Sequence, residues 1–124
     1  MKKVFLILAV LMTGFLAACA TNNMPMALNG VLVGANGMTL YTLDRDKAAA
    51  GKSVCNGECA VLWPPFLATS MDTPKDAHFS TITRDDGKKQ WAFKGQPLYY
   101  WSKDAKAGDM TGDNINTVWH VAKP

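Results

Sequence analysis

Gly37-Met-Thr-Leu40-Tyr41-Thr-Leu43-Asp-Arg-Asp46 is echoed later in the chain by Gly95-Gln-Pro-Leu98-Tyr99-Tyr-Trp101-Ser-Lys-Asp104. Gly, Leu, Tyr and Asp recur in the same order at the same internal spacing. A period met twice indicates a duplicated module rather than a solenoid. Each copy reads as a strand that leaves a turn. Side chains alternate along a strand, so Tyr41 and Leu43 share one face, as do Tyr99 and Trp101, while Leu40 and Leu98 point the other way. Apolar residues on both faces predict strands covered on both sides. The expected fold is mainly β with little helix: a small single-domain sandwich or partly open barrel built from two related hairpin repeats.

The flanking sequence supplies the rest of each hairpin. Val31 to Gly34 is a short apolar run, and Ala35-Asn36-Gly37 turns the chain into a return strand, Met38 to Leu43. In the second half, Phe79 to Thr83 alternates apolar and polar residues, and Asp85-Asp86-Gly87 turns it into Lys89 to Phe93. Lys94-Gly95 then turns it into Pro97 to Trp101, and a last strand runs from about Thr117 to Val121. Trp63 and Trp119 follow their repeats at comparable distances, which predicts related core positions beside Tyr41 and Tyr99. The helix signal is confined to Glu58 to Trp63, stopped by Pro64 and Pro65.

Upstream, Lys2 and Lys3 precede an almost unbroken apolar run, Val4 to Leu16, and small residues lead into Cys19. The run is short for a permanent membrane span and has the form of an export signal. Leu16-Ala-Ala-Cys19 resembles the lipobox of bacterial lipoproteins, which implies that Cys19 takes a diacylglycerol and becomes the first mature residue. Residues 1–18 are then the signal peptide, 19–29 the lipidated cysteine with an aperiodic tether, and 30–124 the repeat domain. Repeat 1 covers about 30–67 and repeat 2 about 79–122. Ala20, rather than Asp, follows the cysteine, which by the same resemblance implies an outer-membrane location facing the periplasm. Three cysteines are odd for an exported chain. With Cys19 lipidated, Cys55 and Cys59 remain as a pair expected to form a disulfide in an oxidising compartment, metal or redox chemistry being the alternative.

Tyr99-Tyr-Trp101-Ser-Lys-Asp104 carries the Tyr-x-(Phe/Trp/Tyr)-x-x-Asp signature of a family of predicted bacterial lipoproteins, the secreted repeat of unknown function. Tyr41-Thr-Leu43-Asp-Arg-Asp46 departs from it with Leu43 at the aromatic position. Cys55-Asn-Gly-Glu-Cys59-Ala-Val-Leu-Trp63-Pro64-Pro65 and Gln90-Trp91-Ala-Phe-Lys-Gly95-Gln-Pro97-Leu98-Tyr99 also resemble segments of that family. The resemblance covers nearly everything after the tether, and it implies membership without a mechanism.

The formal net charge of +3 includes Lys2 and Lys3, so the rest is close to neutral with its lysines scattered among aspartates. No nucleic-acid partner is expected. Asp46 and Asp104 read either as turn-forming caps of backbone N–H groups or as cation or ligand contacts. Gly108 to Asn114 is acidic but lacks the spacing of a calcium loop. His78 and His120 with Met or Asp side chains are weak metal candidates, since no close ligand spacing gathers them. The chain has no nucleophile elbow, zinc-binding helix or phosphate-cradling loop.

Expected, therefore, is a lipid-anchored, non-catalytic envelope module without a cofactor, binding an envelope protein or glycan. A metal-handling or redox accessory and a hydrolase using Asp46 and Asp104 are the alternatives. Trp91, Tyr99, Tyr100, Trp101 and Trp119 are candidates for sugar stacking or core packing. Replacing Cys19→Ser should remove the diacylglyceryl mass and move the exported chain from the membrane to the soluble fraction, as read by intact mass and fractionation.

Overall fold

The computed structural model describes residues 23–34 and 36–124, so the signal peptide and the Cys19 lipidation site lie outside the described residues. Among the described residues, seven short strands run in the order β1 (Met26–Leu28), β2 (Val31–Val33), β3 (Tyr41–Leu43), β4 (Phe79–Thr83), β5 (Lys89–Phe93), β6 (Gln96–Pro97) and β7 (Trp119–Val121). One α-helix, α1 (Glu58–Leu62), and two 3₁₀ segments, Asp44–Ala49 and Ile115–Thr117, complete them. The fold is mainly β with little helix. The described strands form three small antiparallel sheets, β1–β2, β3–β7 and β4–β5–β6, and no closed barrel.

β4, β5 and α1 occupy the expected positions. α1 ends at Trp63, before the two prolines that cannot continue it. The other return strands are shorter than their hydrophobic pattern suggests. Met38 to Leu40 meets the end of β2 as the isolated Val33–Thr39 bridge, with Leu40 N–H donating to the Leu32 carbonyl and Gly34 N–H to that of Met38, both at 2.9 Å. Beyond β6, the second motif continues as isolated bridges from Tyr99 to Tyr41 and Pro65. The end of the supposed tether differs more. Met26–Leu28 pairs with Val31–Val33 across Asn29-Gly30, both at positive φ, the two-residue turn whose twist suits a hairpin.

Hydrogen bonding is the same in both halves. Leu32 N–H donates to Ala122, Ala122 to Leu40 and Leu40 to Leu32; Trp91 donates to Phe66, Phe66 to Leu98 and Leu98 to Trp91. The segment after each hairpin therefore crosses to the other hairpin: Trp119 to Ala122 joins the first, and Trp63 to Phe66 joins the second. The motif strands lie between two cores, as their alternation predicts. Tyr41, Leu43, Tyr99, Trp101, Trp63 and Trp119 fill one. Leu40, Leu98, Leu32, Trp91, Phe66 and Phe93 fill the other.

Trp63 and Trp119 are both buried and stack 3.8 Å apart with rings 5° from parallel. Tyr41 meets Trp63 edge-on at 5.4 Å, and Tyr99 meets Trp119 in the same way at 5.1 Å. Trp101 lies 4.1 Å from Trp63 on its other contact. Gly112 is where the chain passes this stack. A Cβ there would sit 3.0 Å from both the Trp101 side chain and the Trp63 ring. Gly112→Ala should overfill the core and cost about 1–3 kcal/mol in denaturant unfolding. An unchanged midpoint would mean that the tryptophans can give way.

Candidate functional site

The polar residues of the repeat converge inside the protein. Tyr41 and Tyr99 face each other across a reciprocal backbone pair: Tyr41 N–H donates to the Tyr99 carbonyl at 2.8 Å, and Tyr99 N–H to that of Tyr41 at 2.9 Å. Each hydroxyl then reaches the aspartate of the other repeat. Tyr41 donates to Asp104 Oδ2 and Tyr99 to Asp46 Oδ2, both at 2.6 Å. The second carboxylate oxygen caps a loop, with Asp46 Oδ1 accepting from Val54 N–H at 2.8 Å and Asp104 Oδ1 from Thr111 N–H at 3.0 Å. Both aspartates are buried. These geometries match the capping role anticipated for short acidic side chains, with the tyrosine partners added by the tertiary structure.

The two clasps differ in their surroundings. Beside Tyr99 and Asp46 lies the Ser53 hydroxyl, which accepts from Arg84 Nη1 at 3.0 Å. Arg84 is itself buried and also donates to Gln90 Oε1 at 2.7 Å and the Cys55 carbonyl at 2.6 Å. Burial pushes the Asp46 carboxyl above its usual value, against the pull of its Tyr99 and Val54 hydrogen bonds. Burial, then the bond to Asp46, raises the Tyr99 phenol; burial and Asp104 do the same to Tyr41. Cys55 and Cys59 form a disulfide with Cα atoms 5.2 Å apart, closing the loop beside Ser53.

The remaining candidates stay apart. His78 Nδ1 is 3.3 Å from Asp76 and well exposed. His120 Nε2 is 3.0 Å from Asp44, whose carboxyl this contact holds below its usual value. Among the described residues, no group of three His, Cys, Asp or Glu side chains could hold a metal ion. In the Gly108 to Asn114 loop, Asp109 accepts from Ala105 N–H and Asp113 from Val121 N–H. Trp91, Tyr99, Trp101 and Trp119 are buried, so they are core rather than a sugar-stacking face.

Concave surface lies elsewhere. A cavity of about 440 Å³ opens between the first hairpin and β4–β5, lined by Met26, Leu32, Phe79 and Phe93 with His78 and Lys94 among its polar groups. A second, of about 350 Å³, is walled by Leu28, Val31, Val33 and Met110. Thr39 also lines it, and its buried hydroxyl has no hydrogen-bond partner among the described residues. β1 borders both cavities. Reading residues 20–29 as tether missed it, although Asn29-Gly30 between two apolar runs is a strong short-range hairpin signal.

A family model described as a secreted repeat of unknown function matches residues 28–66 and 80–123, one match for each hairpin unit. No curated protein and no solved structure matches the chain.

The clasp has a measurable pH signature. The folded state holds the Asp46 proton more tightly than the unfolded chain does. Its contribution to stability is therefore full below the ordinary carboxyl value of 3.8 and is lost as pH rises through the raised folded value. Tyr99→Phe removes a bond that favours the ionised carboxylate. It should cost about 1.5–3 kcal/mol near pH 7 and less near pH 4, as measured by denaturant unfolding. Equal costs at the two pH values would show that the hydroxyl does not bear on Asp46.

Proposed function

The chain belongs to the family of secreted repeats of unknown function, and from that premise we propose that it is a non-catalytic binding module, lipid-anchored at Cys19 in the outer membrane and facing the periplasm. The observation that carries this reading is the reciprocal clasp. Tyr41, Asp46, Tyr99 and Asp104 are the chemically capable residues of the repeat, and all four are spent on joining its two copies. Carboxylates that serve a hydrolase must face substrate. Asp46 and Asp104 instead accept buried hydrogen bonds, and neither lines the two cavities described above.

Recognition then falls to the surface, where apolar concavities with a few polar groups are the usual form of a binding site. The cavity lined by Met26, Phe79 and Phe93 is the larger of the two described and carries His78 and Lys94 at its polar side. Its partner is an envelope component presenting an apolar group beside an anionic one, which Lys94 would meet.

A second reading rests on one specific observation. His78 lies 3.3 Å from Asp76, and both line the cavity that Met26 also lines, so a histidine, a carboxylate and a thioether border one concavity. Lys94 in the same lining opposes a cation there.

The deciding experiment places a photo-crosslinking residue at Phe79 of the full-length protein in living cells and weighs the purified protein by native mass spectrometry. A discrete adduct from position 79, abolished by Lys94→Glu and retained by Lys47→Glu, supports the binding module. A stoichiometric metal lost on His78→Ala, with no crosslink, replaces it with metal handling.

A further inference from the structure

Asn23 fastens the start of the described chain to the domain from three sides. Its side-chain amide donates to the Leu67 carbonyl at 3.0 Å and to Asp72 Oδ2 at 2.8 Å, and its carbonyl accepts from the Trp91 indole at 2.7 Å. The Asp72 carboxylate also accepts from Thr69 N–H at 2.6 Å, so one group holds both Asn23 and the Thr69–Asp72 turn. Met71 stands at the tip of that turn and is 88% exposed. Leu67, whose backbone carbonyl accepts from the Asn23 amide, is also exposed, at 36%.

This clip shortens the leash. A tether of eleven residues, 19–29, would let the domain roam. From Cys19 to the clipped Asn23 there are only four residue steps, which span at most about 14 Å fully extended. A lipid on Cys19 sits in the bilayer, so the Asn23 corner is held at headgroup depth or just above it. Two exposed apolar side chains, Met71 and Leu67, flank that corner, where the bilayer that holds the anchor would cover them. Methionine suits such contact, being flexible and apolar enough to enter an irregular interface.

We propose that the Met71–Leu67 rim is a membrane-contact surface: the domain lies against the bilayer that carries its own anchor, with Met71 inserted at the headgroup–acyl boundary. This rests on lipidation of Cys19. The contact fixes the orientation of the module, because the Asn23 clip and the Met71 turn are one hydrogen-bonded unit. Lys47, on the Asp44–Ala49 segment, is an exposed cation beside Asp44 and serves as the charged comparison position.

The test uses the full chain lipidated in cells, purified and reconstituted into vesicles of phosphatidylethanolamine and phosphatidylglycerol. Met71→Cys and, separately, Lys47→Cys are labelled with an environment-sensitive fluorophore; the disulfide and the lipidated Cys19 leave the new thiol as the reactive one. The probe at position 71 should shift to the blue and be quenched by lipids brominated in the upper acyl chain, at a depth of about 5–10 Å. The probe at position 47 should do neither. Asn23→Ala, which frees the leash, should reduce the shift at 71. Emission at 71 unchanged by vesicles, or equal shifts at both positions, overturns the proposal. Intact mass separates this from the anchoring itself: a chain without the diacylglyceryl adduct defeats lipidation at Cys19. The rim is then judged with Cys19→Ser and a hexahistidine before residue 19 bound to nickel-chelating lipid, by the same two probes.

Discussion

The fold depends on the paired tyrosines at its centre. Tyr41 and Tyr99 exchange two backbone hydrogen bonds, and their buried hydroxyls donate to Asp104 and Asp46. Each bond of the clasp joins residues from different repeats. A buried aspartate that loses its tyrosine keeps its desolvation cost without its strongest compensation. Removing a single hydroxyl therefore acts on both halves at once, on the loop that the aspartate caps and on the hairpin that carries the tyrosine.

The same exchange governs the apolar packing. Trp119 leaves repeat 2 to sit on the strand of repeat 1, Trp63 does the reverse, and the two indoles stack on each other at the meeting point. Each motif strand is completed by a segment from the other copy, while the tryptophan of its own copy packs edge-on against its tyrosine. One cooperative domain follows from two copies of a unit too small to close a core. The Cys55–Cys59 disulfide supports this arrangement locally. It constrains the loop that presents Ser53 and the Cys55 carbonyl to Arg84, a buried cation that has to be surrounded by acceptors.

With the tyrosines, tryptophans and aspartates turned inward, the surface is left to aliphatic and methionine side chains. Met26, Leu28, Val61, Met71 and Met110 are the kind of large hydrophobic that the described surface exposes. They are not spread evenly: Met26 and Leu28 stand on β1 at the mouths of the two cavities, and Met71 stands beside the clip that ends the tether. On the proposed reading, recognition and membrane contact both fall to this side of the domain, while the duplicated motif supplies the frame behind them.

How much of this was legible depends on the range of the interaction. The repeat, the alternation that separates Tyr41 and Leu43 from Leu40, the strands at Phe79 and Lys89, the helix cut off by Pro64 and the cysteine spacing could all be read from the chain. Each is decided by backbone geometry within a few residues. Asn29-Gly30 belongs to the same class: its hairpin signal is local, although residues 20–29 read as an aperiodic tether. Nothing local says that Asp46 serves Tyr99 rather than Tyr41, that Arg84 lies buried behind Ser53, or that Asn23 is pinned by Asp72. Those pairings join residues far apart in sequence, and their strength comes from exclusion of water, which exists only once both repeats have closed on each other. By itself the sequence determined the parts and their facing; only the tertiary structure decided which part completes which.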